Sequence, residues 1–345
     1  MIGTIGESLI DIFDGKQRIG GCPFNVAVAA SRMGAPVSFF GKISSDGYGL
    51  EILERMIDNG VLFDPQLCNA QEPTLCSRAV IDGEGKASYV FDYKGTAACS
   101  MTEDELSRAL AVEGDIDMLF VGSIALVMEP GCNAIMPAVR KHPDHPVLFL
   151  DPNVRPSMVA DPEEYRSMIL SLAGECALVR VSEEDLDFLI PSVPRAEAES
   201  RLLQLCGGSL IVTRGAEGST WYQKCNEGRE GNEGREGNEG KEGKEGNKGN
   251  EGNEGNEGNK SAEDFRVDMP CSKVDELVDT IGCGDTFDGA VIAWLERNGM
   301  IRKIAELSRE QVERMLAYAS KASALNCLHE GCEPPRRVGN GDDLQ

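Results

Sequence analysis

Short, predominantly apolar runs alternate with amphipathic stretches along most of this chain. The runs predict buried strands at residues 2–5, 37–40, 118–121, 147–150, 177–181 and 210–212. Helical spacing of apolar residues predicts helices at residues 25–33, 49–59, 102–110, 163–172, 195–205 and 309–328. Strands that alternate with helices are typical of a mostly parallel sheet flanked by helices on both faces. The predicted fold class is therefore α/β.

Two segments depart from this alternation. Residues 9–19 and 75–93 have the period of β-hairpins, and the second contains a turn of the type Asp-Gly-Glu-Gly at residues 82–85. We interpret them as strands outside the main sheet. Together they predict a small β-sheet lid, built from about residues 9–20 and 75–95, over the carboxyl edge of the larger sheet.

A repeat of three residues, chiefly Asn-Glu-Gly, occupies residues 226–260. It contains glycine at every third position but no proline, which excludes a collagen-like triple helix. Because it offers no apolar side chain for a core, we expect a disordered insert in the loop between Tyr222 and Phe265. The remaining sequence predicts one domain over residues 1–338, followed by a tail at residues 339–345.

The composition narrows the classes of function. The chain has 345 residues, 41% of them hydrophobic, and a formal net charge of −24. Such acidity argues against nucleic-acid binding, although local dipoles and a metal ion can hold a nucleotide on an acidic protein. No apolar run approaches the roughly 18 residues of a membrane helix. The twelve cysteines form no C-x-x-C pair, so we expect small buried thiols in a cytoplasmic protein.

The most informative segment is Asp-Thr-Ile-Gly-Cys-Gly-Asp, residues 279–285, directly before an apolar helical run. Its glycines, Gly282 and Gly284, let backbone amides approach a ligand, and the helix N-terminus favours an anion. A carboxylate at Asp285 would repel that anion, unless its task is to take a proton from an attacking hydroxyl. Phosphoryl transfer to an alcohol needs both parts. The alternative is a structural turn capped by glycine.

Polar groups suited to a sugar lie near the N-terminus. Asp11 follows the first predicted strand, and Gly20 and Gly21 precede a helix that begins near Asn25. A sugar site needs a few fixed polar groups in a concave surface. Arg155, in the Asp-Pro-Asn-Val-Arg-Pro segment after another strand, is placed to reach a substrate hydroxyl or a phosphate. Turns without a function remain the alternative at both places.

Two further loops follow strands. Ser182 and Asp185 have the spacing of a helix capping box, which explains them without any function. The segment Thr-Arg-Gly-Ala-Glu-Gly, residues 213–218, offers glycines that allow a nucleotide to pass close to the backbone.

Taken with residues 279–285, these segments resemble the PfkB (ribokinase-like) carbohydrate kinases, most closely the fructokinase-like members. Cys283 stands where that family usually has alanine. The resemblance implies that Asp285 is the catalytic base and that the amides of residues 282–284 form an anion hole. It also implies sugar contacts from Asp11, Gly20, Gly21, Asn25 and Arg155, and nucleotide contacts from Ser182, Thr213, Gly215 and Gly218.

The resemblance further implies ATP and Mg²⁺ as cofactors. Asp185 occupies the position of an acid that indirectly organises Mg²⁺, but it is shorter than the glutamate usual there. Relatives also place a monovalent cation such as K⁺ at the positions of Asp279 and Ile281. The expected activity is phosphorylation of a primary hydroxyl, with fructose as first choice and 2-keto-3-deoxygluconate or ribose as alternatives.

Two other classes of function are alternatives to a kinase. A sugar-binding regulator of the same fold would bind sugar without releasing ADP. A dinucleotide-dependent dehydrogenase is disfavoured, because no G-x-G-x-x-G follows the first strand. No nucleic-acid or membrane partner is expected, and the resemblance implies a homodimer that forms through the lid.

Overall fold

A computed structural model describes residues 1–345 except 14, 82–86, 225–264, 275 and 340. The strands are β1 (Ile2–Ile5), β2 (Leu9–Phe13), β3 (Lys16–Gly20), β4 (Val37–Phe40), β5 (Leu62–Phe63), β6 (Cys76–Ile81), β7 (Ala87–Phe91), β8 (Met118–Gly122), β9 (Val147–Asp151), β10 (Leu178–Ser182), β11 (Ser209–Thr213), β12 (Ser219–Gln223), β13 (Phe265–Met269), β14 (Arg337–Val338) and β15 (Asp343–Leu344). The helices are α1 (Cys22–Arg32), α2 (Gly47–Asn59), α3 (Glu103–Glu113), α4 (Cys132–Lys141), α5 (Pro162–Ala173), α6 (Glu183–Leu189), α7 (Arg195–Leu205), α8 (Cys283–Arg297) and α9 (Arg309–Asn326).

The main sheet has the strand order β13-β12-β11-β10-β9-β8-β1-β4-β5. The pairs from β11 to β5 are parallel, whereas β12 and β13 are antiparallel at one edge. Helices cover both faces. The predicted α/β class, with a central and mostly parallel sheet, is confirmed.

Both faces of this sheet are buried, which explains why its strands are continuous apolar runs. In β8, Met118 and Phe120 pack on the face of α1, α2, α8 and α9, while Leu119 and Val121 pack on the face of α3 to α7. Successive side chains of a strand point to opposite faces, so one short run serves two cores.

A second, smaller sheet has the order β3-β2-β6-β7 and contains both predicted hairpins. Its β2–β3 and β6–β7 pairs are antiparallel, and β2 pairs with β6 in parallel. Leu9, Asp11 and Phe91 of this sheet line the same cavity as residues from the carboxyl ends of the main strands. The small sheet therefore covers that edge; its movement as a lid and its pairing with a second subunit stay predictions.

Several elements differ from the sequence expectations. The helix after the glycine motif begins at Cys283, well before the apolar run, because the motif itself forms its first turn. The helix α4 and the antiparallel edge strands β12 and β13 lacked a strong periodic signal. After Val338 the chain folds back, and β15 pairs with β14. The repeat at residues 226–260 and the turn at residues 82–85 lie outside the described residues.

The expectation of small buried thiols holds for only part of the chain. Of the eleven cysteines that the structure describes, four are buried, and Cys271 is exposed; none forms a disulfide. None of the helices in the described ranges combines the length and the apolar character needed to cross a membrane.

Candidate active site

The carboxyl ends of the parallel strands open into a cavity of about 570 Å³. In a parallel sheet these ends share one edge, so loops far apart in the sequence meet there. Most of the residues predicted for the sugar, the phosphate and the metal ions, and one predicted for the nucleotide, line this cavity, namely Asp11, Gly21, Asn25, Arg155, Ser182, Asp185, Ile281, Gly282, Gly284 and Asp285. Gly20 and Asp279 do not.

A second, smaller cavity of about 110 Å³ adjoins the first. It is lined by Thr213, Gly215 and Gly218 of the predicted nucleotide loop, and by Cys283. Arg180 and Gly284 line both cavities. The predicted sugar and nucleotide regions therefore meet at these two residues.

Asp285 lies in the first turn of α8 and is 9% exposed. Its Oδ2 accepts a hydrogen bond of 2.8 Å from Nδ2 of Asn25, which α1 carries. An amide donor holds the carboxylate in one orientation, and Asp285 lines the larger cavity. A carboxylate oriented in this way can accept a proton from a bound hydroxyl.

Asp11 reaches the cavity from β2. Its Oδ1 accepts a hydrogen bond from the Ser77 hydroxyl. Burial raises the pKa of Asp11 above its ordinary value, and the charge of Asp285 adds to this rise, while Ser77 opposes it. Gly20 contributes indirectly, because a Cβ at that position would collide with the Asp11 carboxylate.

The glycine motif forms a left-handed turn that caps α8. Gly282 has φ = 71°, and a Cβ on it would collide with Cys332. The amides of residues 283 and 284 belong to the first helical turn and have no partner within the helix. The Cys283 amide donates to the Thr280 carbonyl at 3.3 Å, whereas Gly284 lines both cavities. The Sγ of Cys283 lies 3.0 Å from that of Cys327.

Arg180 is the cation at the junction of the cavities. It is 8% exposed. Its Nη1 donates to Asp151 at 2.8 Å, and its Nη2 donates to the Thr213 hydroxyl at 2.8 Å. A Cβ on Gly284 would lie 3.0 Å from that same Nη2. The guanidinium is thus fixed beside the backbone of the predicted anion hole.

Two buried acids lie beside this guanidinium, and only Asp151 accepts a hydrogen bond from it. Asp288, one turn after Asp285 on α8, lies with an oxygen 3.9 Å from Nε of Arg180. Burial lowers the pKa of Arg180, but the charges of Asp151 and Asp288 outweigh it and raise the pKa above its usual value. Burial also raises the pKa of Asp288 well above its ordinary value, and it raises the pKa of Asp151 in the same direction. The guanidinium stays charged.

Arg155 has different surroundings. It is exposed, and its Nη1 donates to the backbone oxygens of Asn153 and Val154 at 3.1 and 3.2 Å. It therefore stabilises its own loop at the mouth of the cavity. Its role in neutralising a phosphate stays a prediction, and the buried Arg180 is better placed for that role.

Ser182 and Asp185 form the capping box of α6. The Asp185 carboxylate accepts hydrogen bonds from the amide and the hydroxyl of Ser182 at 2.8 and 2.7 Å, and from the amide of Val154 at 2.7 Å. Both of its oxygens are therefore engaged with the protein. The exposed carboxylate of Glu184 lines the same cavity and suits a hydrated Mg²⁺, which prefers oxygen ligands and retains several waters.

The predicted ligands of a monovalent cation already have protein partners. One carboxylate oxygen of Asp279 accepts from the Gly331 amide at 2.9 Å and from Arg18 at 3.3 Å. The Ile281 carbonyl accepts from Nδ2 of Asn326 at 2.9 Å. A guanidinium beside Asp279 supplies the positive charge that K⁺ would bring, so these residues fit K⁺ poorly in this arrangement.

Gly284 allows a test of the junction. We expect Gly284→Ala to lower kcat by about 10²-fold, because the added methyl would press on a fixed Arg180 and misplace a bound phosphate. Stability should stay the same or rise, since alanine favours a helix by about 1 kcal/mol over glycine. Steady-state kinetics and thermal unfolding would be compared.

Gly47→Ala is the matched control for that variant. Gly47 also begins a helix, and a Cβ there would meet nothing within 4 Å. We expect unchanged kcat. Normal turnover in Gly284→Ala would show that the junction does not hold the transferred group.

The sequence indicated Asp285 and the glycines but gave Arg180 no role. The signal was present, since an arginine interrupts an otherwise apolar strand, and a charge on a buried strand requires partners. Its partners Asp151 and Asp288 lie on other elements, so only the fold reveals them.

Known proteins of similar sequence also indicate a carbohydrate kinase. The profile of the family described as "pfkB family carbohydrate kinase" matches residues 5–232 and 252–337. The fructokinase of Rhizobium leguminosarum bv. trifolii is 26% identical over 321 residues, which cover 90% of this chain and 85% of that protein. Fructokinase-1 of Zea mays is 27% identical, and the match covers 97% of this chain and 94% of that protein.

Solved structures share the fold. The fructokinase of Xylella fastidiosa with bound ATP has a TM-score of 0.73 at 20% identity, with 96% of this chain and 93% of that chain covered. The fructokinase of Vibrio cholerae O395 in the fructose, ADP and calcium ion bound form has a TM-score of 0.71 at 20% identity, with 96% and 94% covered. The family match extends over nearly the whole described structure, so this chain belongs to the pfkB family of carbohydrate kinases.

Proposed function

We propose that this kinase transfers the γ-phosphoryl group of ATP to a primary hydroxyl of fructose, giving fructose 6-phosphate. The observation that carries the proposal is the position of Asp285. It stands at the N-terminus of α8, beside the junction of the two cavities, with its carboxylate held by Asn25. The proposed base for the hydroxyl, Asp285, and the proposed amide donor for the phosphate, Gly284, therefore lie in the same helical turn.

In the proposed reaction the sugar lies in the larger cavity and ATP extends from the loop at residues 213–218. Asp285 accepts the proton of the attacking hydroxyl as the phosphoryl group crosses between the cavities. The amides of Gly282 and Gly284 and the guanidinium of Arg180 stabilise the negative charge that develops on the transferred group, while the Cys283 amide donates to the Thr280 carbonyl. Since these donors are already fixed, they need little reorganisation during the step.

Mg²⁺ would neutralise the phosphates of ATP when it is bound. Glu184 and Asp185 are the cavity carboxylates placed to organise its hydration shell. Because Asp185 already accepts three hydrogen bonds from the protein, Glu184 is the better of the two.

A neutral sugar fits the cavity better than a sugar acid. The carboxyl side chains that line it are Glu7, Asp11, Glu184, Asp185 and Asp285, and the cations are Arg155 and Arg180. Excess negative charge would repel the carboxylate of 2-keto-3-deoxygluconate. The relatives named as fructokinases support fructose, whereas an aminoimidazole riboside kinase of Salmonella enterica with the same fold (TM-score 0.70 at 18% identity) keeps ribose-like sugars among the alternatives.

A coupled assay of ADP release over a panel of sugars tests this proposal. We expect the highest kcat/KM with fructose, a lower value with ribose, and almost no turnover with 2-keto-3-deoxygluconate. A preference for the sugar acid would overturn the substrate assignment. Sugar binding without ADP release would indicate a regulator that has lost catalysis.

A further inference from the structure

Glu7 is a buried carboxyl group that the proposed reaction does not use. It follows β1, is 1% exposed, and still lines the larger cavity. Its Oε1 accepts a hydrogen bond from the amide of Cys22 at 3.3 Å, and its Oε2 accepts one from the amide of Ala125 at 3.1 Å. One carboxylate thus joins two segments that are more than a hundred residues apart in the sequence.

The first of these segments is the start of α1. The amide of Cys22 is in the first turn of that helix, where backbone donors lack an internal partner and a negative charge is stabilising. The same helix carries Asn25, which orients Asp285. Gly21, just before the helix, has φ = 106°, and a Cβ on it would lie 2.5 Å from the Glu7 carbonyl oxygen. The helix start is therefore packed directly against Glu7.

The second segment is the helical turn Ser123–Leu126 after β8. Ser123 has a left-handed backbone with φ = 59°, which is unfavourable for a residue other than glycine and persists only when surrounding contacts hold it. Ser123 and Ile124 both line the cavity. The bond from the amide of Ala125 to Glu7 holds this turn in place.

We propose that Glu7 is a positioning residue for the sugar, whose carboxylate holds two walls of the sugar cavity, the start of α1 and the turn Ser123–Leu126, in the arrangement that binds substrate. This inference rests on the proposed function for the identity of the ligand. An ionised carboxylate accepts strongly from both amides. A glutamine must turn its NH2 group toward one of them, and a protonated carboxyl accepts only weakly through its hydroxyl oxygen. The neutral forms therefore loosen one wall.

The environment of Glu7 gives this arrangement a dependence on pH. Burial raises the pKa of Glu7 to about 7, although its hydrogen bonds from Ser123, Cys22 and Ala125 oppose the rise. The carboxylate is therefore lost as the pH falls through about 7, and sugar binding should weaken in that direction. The other titratable or charged groups around it are the Cys22 thiol on α1 and, along the cavity, Asp11, Asp285, Arg155 and Arg180.

The test compares the wild-type enzyme with Glu7→Gln, using the sugar that gives the highest kcat/KM. We expect the variant to raise the KM for sugar about tenfold at pH 8, which is the effect of losing one hydrogen bond to a charged group. Its kcat and its KM for ATP should stay within about twofold of the wild type. The wild-type KM for sugar should rise between pH 8 and pH 6, and that of the variant should not.

Asp46→Asn is the matched control. The Asp46 carboxylate also bridges two backbone amides, those of Gly49 and Thr74, both at 2.8 Å, but it lies outside the sugar cavity. We expect this variant to lose stability without a change in the KM for sugar. Circular dichroism and thermal unfolding of both variants separate misfolding from altered binding.

Calorimetric titration with the sugar alone separates this inference from the proposed function. ADP release by the wild type, together with an unchanged sugar affinity in Glu7→Gln, would overturn the role of Glu7 only. Sugar binding without ADP release in the wild type would overturn the proposed reaction, and Glu7 would still be judged by the affinity of its variant. An equal rise of the sugar KM in Asp46→Asn would reduce the role of Glu7 to general stability.

Discussion

Asp285→Asn should lower kcat by about 10²- to 10⁴-fold while sugar affinity stays nearly intact, because general-base catalysis contributes a factor of that size. Asparagine has nearly the same shape as aspartate, and its side-chain oxygen can still accept the hydrogen bond from Asn25. It has no carboxylate to take the proton of the hydroxyl. Single-turnover phosphorylation and calorimetric sugar titration would measure the two quantities separately.

The control for this variant lies one turn further along the same helix. Asp288 is fully buried and lines neither of the two cavities, and Asp288→Asn preserves the shape of its side chain. We therefore expect Asp288→Asn to change kcat far less than Asp285→Asn does. Near-normal turnover in Asp285→Asn would refute the assignment of the base, since no such result is compatible with a proton transfer to that carboxylate.

Arg180→Gln should produce the second large effect, a decrease in kcat of about 10²- to 10³-fold, which is typical when a fixed donor to a developing negative charge is removed. It should also destabilise the protein by about 3–5 kcal/mol, because Asp151 would stay buried without its cation. Steady-state kinetics and denaturant unfolding would report the two losses.

The double variant Arg180→Gln/Asp151→Asn separates these losses. It removes both charges of the buried pair, so stability should recover while kcat stays low. Arg155→Gln serves as the comparison, because Arg155 is exposed and bonds to its own loop. A greater loss of kcat in Arg155→Gln than in Arg180→Gln would reverse the proposed roles of the two arginines.

The strength of the sequence signals differed between elements for physical reasons. The parallel strands were predictable because burial on both faces demands continuous apolar runs, as in β8. The start of α8 was placed too late, because its first turn consists of the glycine motif rather than of apolar residues. Short antiparallel edge strands such as β13 bury only one face and alternate too briefly to be recognised.

In the candidate site too, local motifs were predictable from the sequence, whereas contacts between distant elements were not. Asp285 and its glycines form one local motif, so the sequence sufficed to propose them together. The sequence allowed two roles for the Asp185 carboxylate, a helix cap or an organiser of a metal ion. In the structure it makes both bonds of the capping box with Ser182 and also accepts a bond from the Val154 amide. Asp279 likewise has Arg18 as a partner from a distant strand.

The sequence by itself determined the α/β class, the glycine-rich start of α8 and the carboxylate beside it, because each depends on residues close together in the chain. Only the tertiary structure brought Arg180 to the junction of the two cavities, through contacts with Asp151, Thr213 and Gly284. It also joined Glu7 to the start of α1 and to the turn Ser123–Leu126, which both line the larger cavity. Those contacts span separate strands and helices, and their distances are set by the packing of the whole sheet rather than by any local pattern.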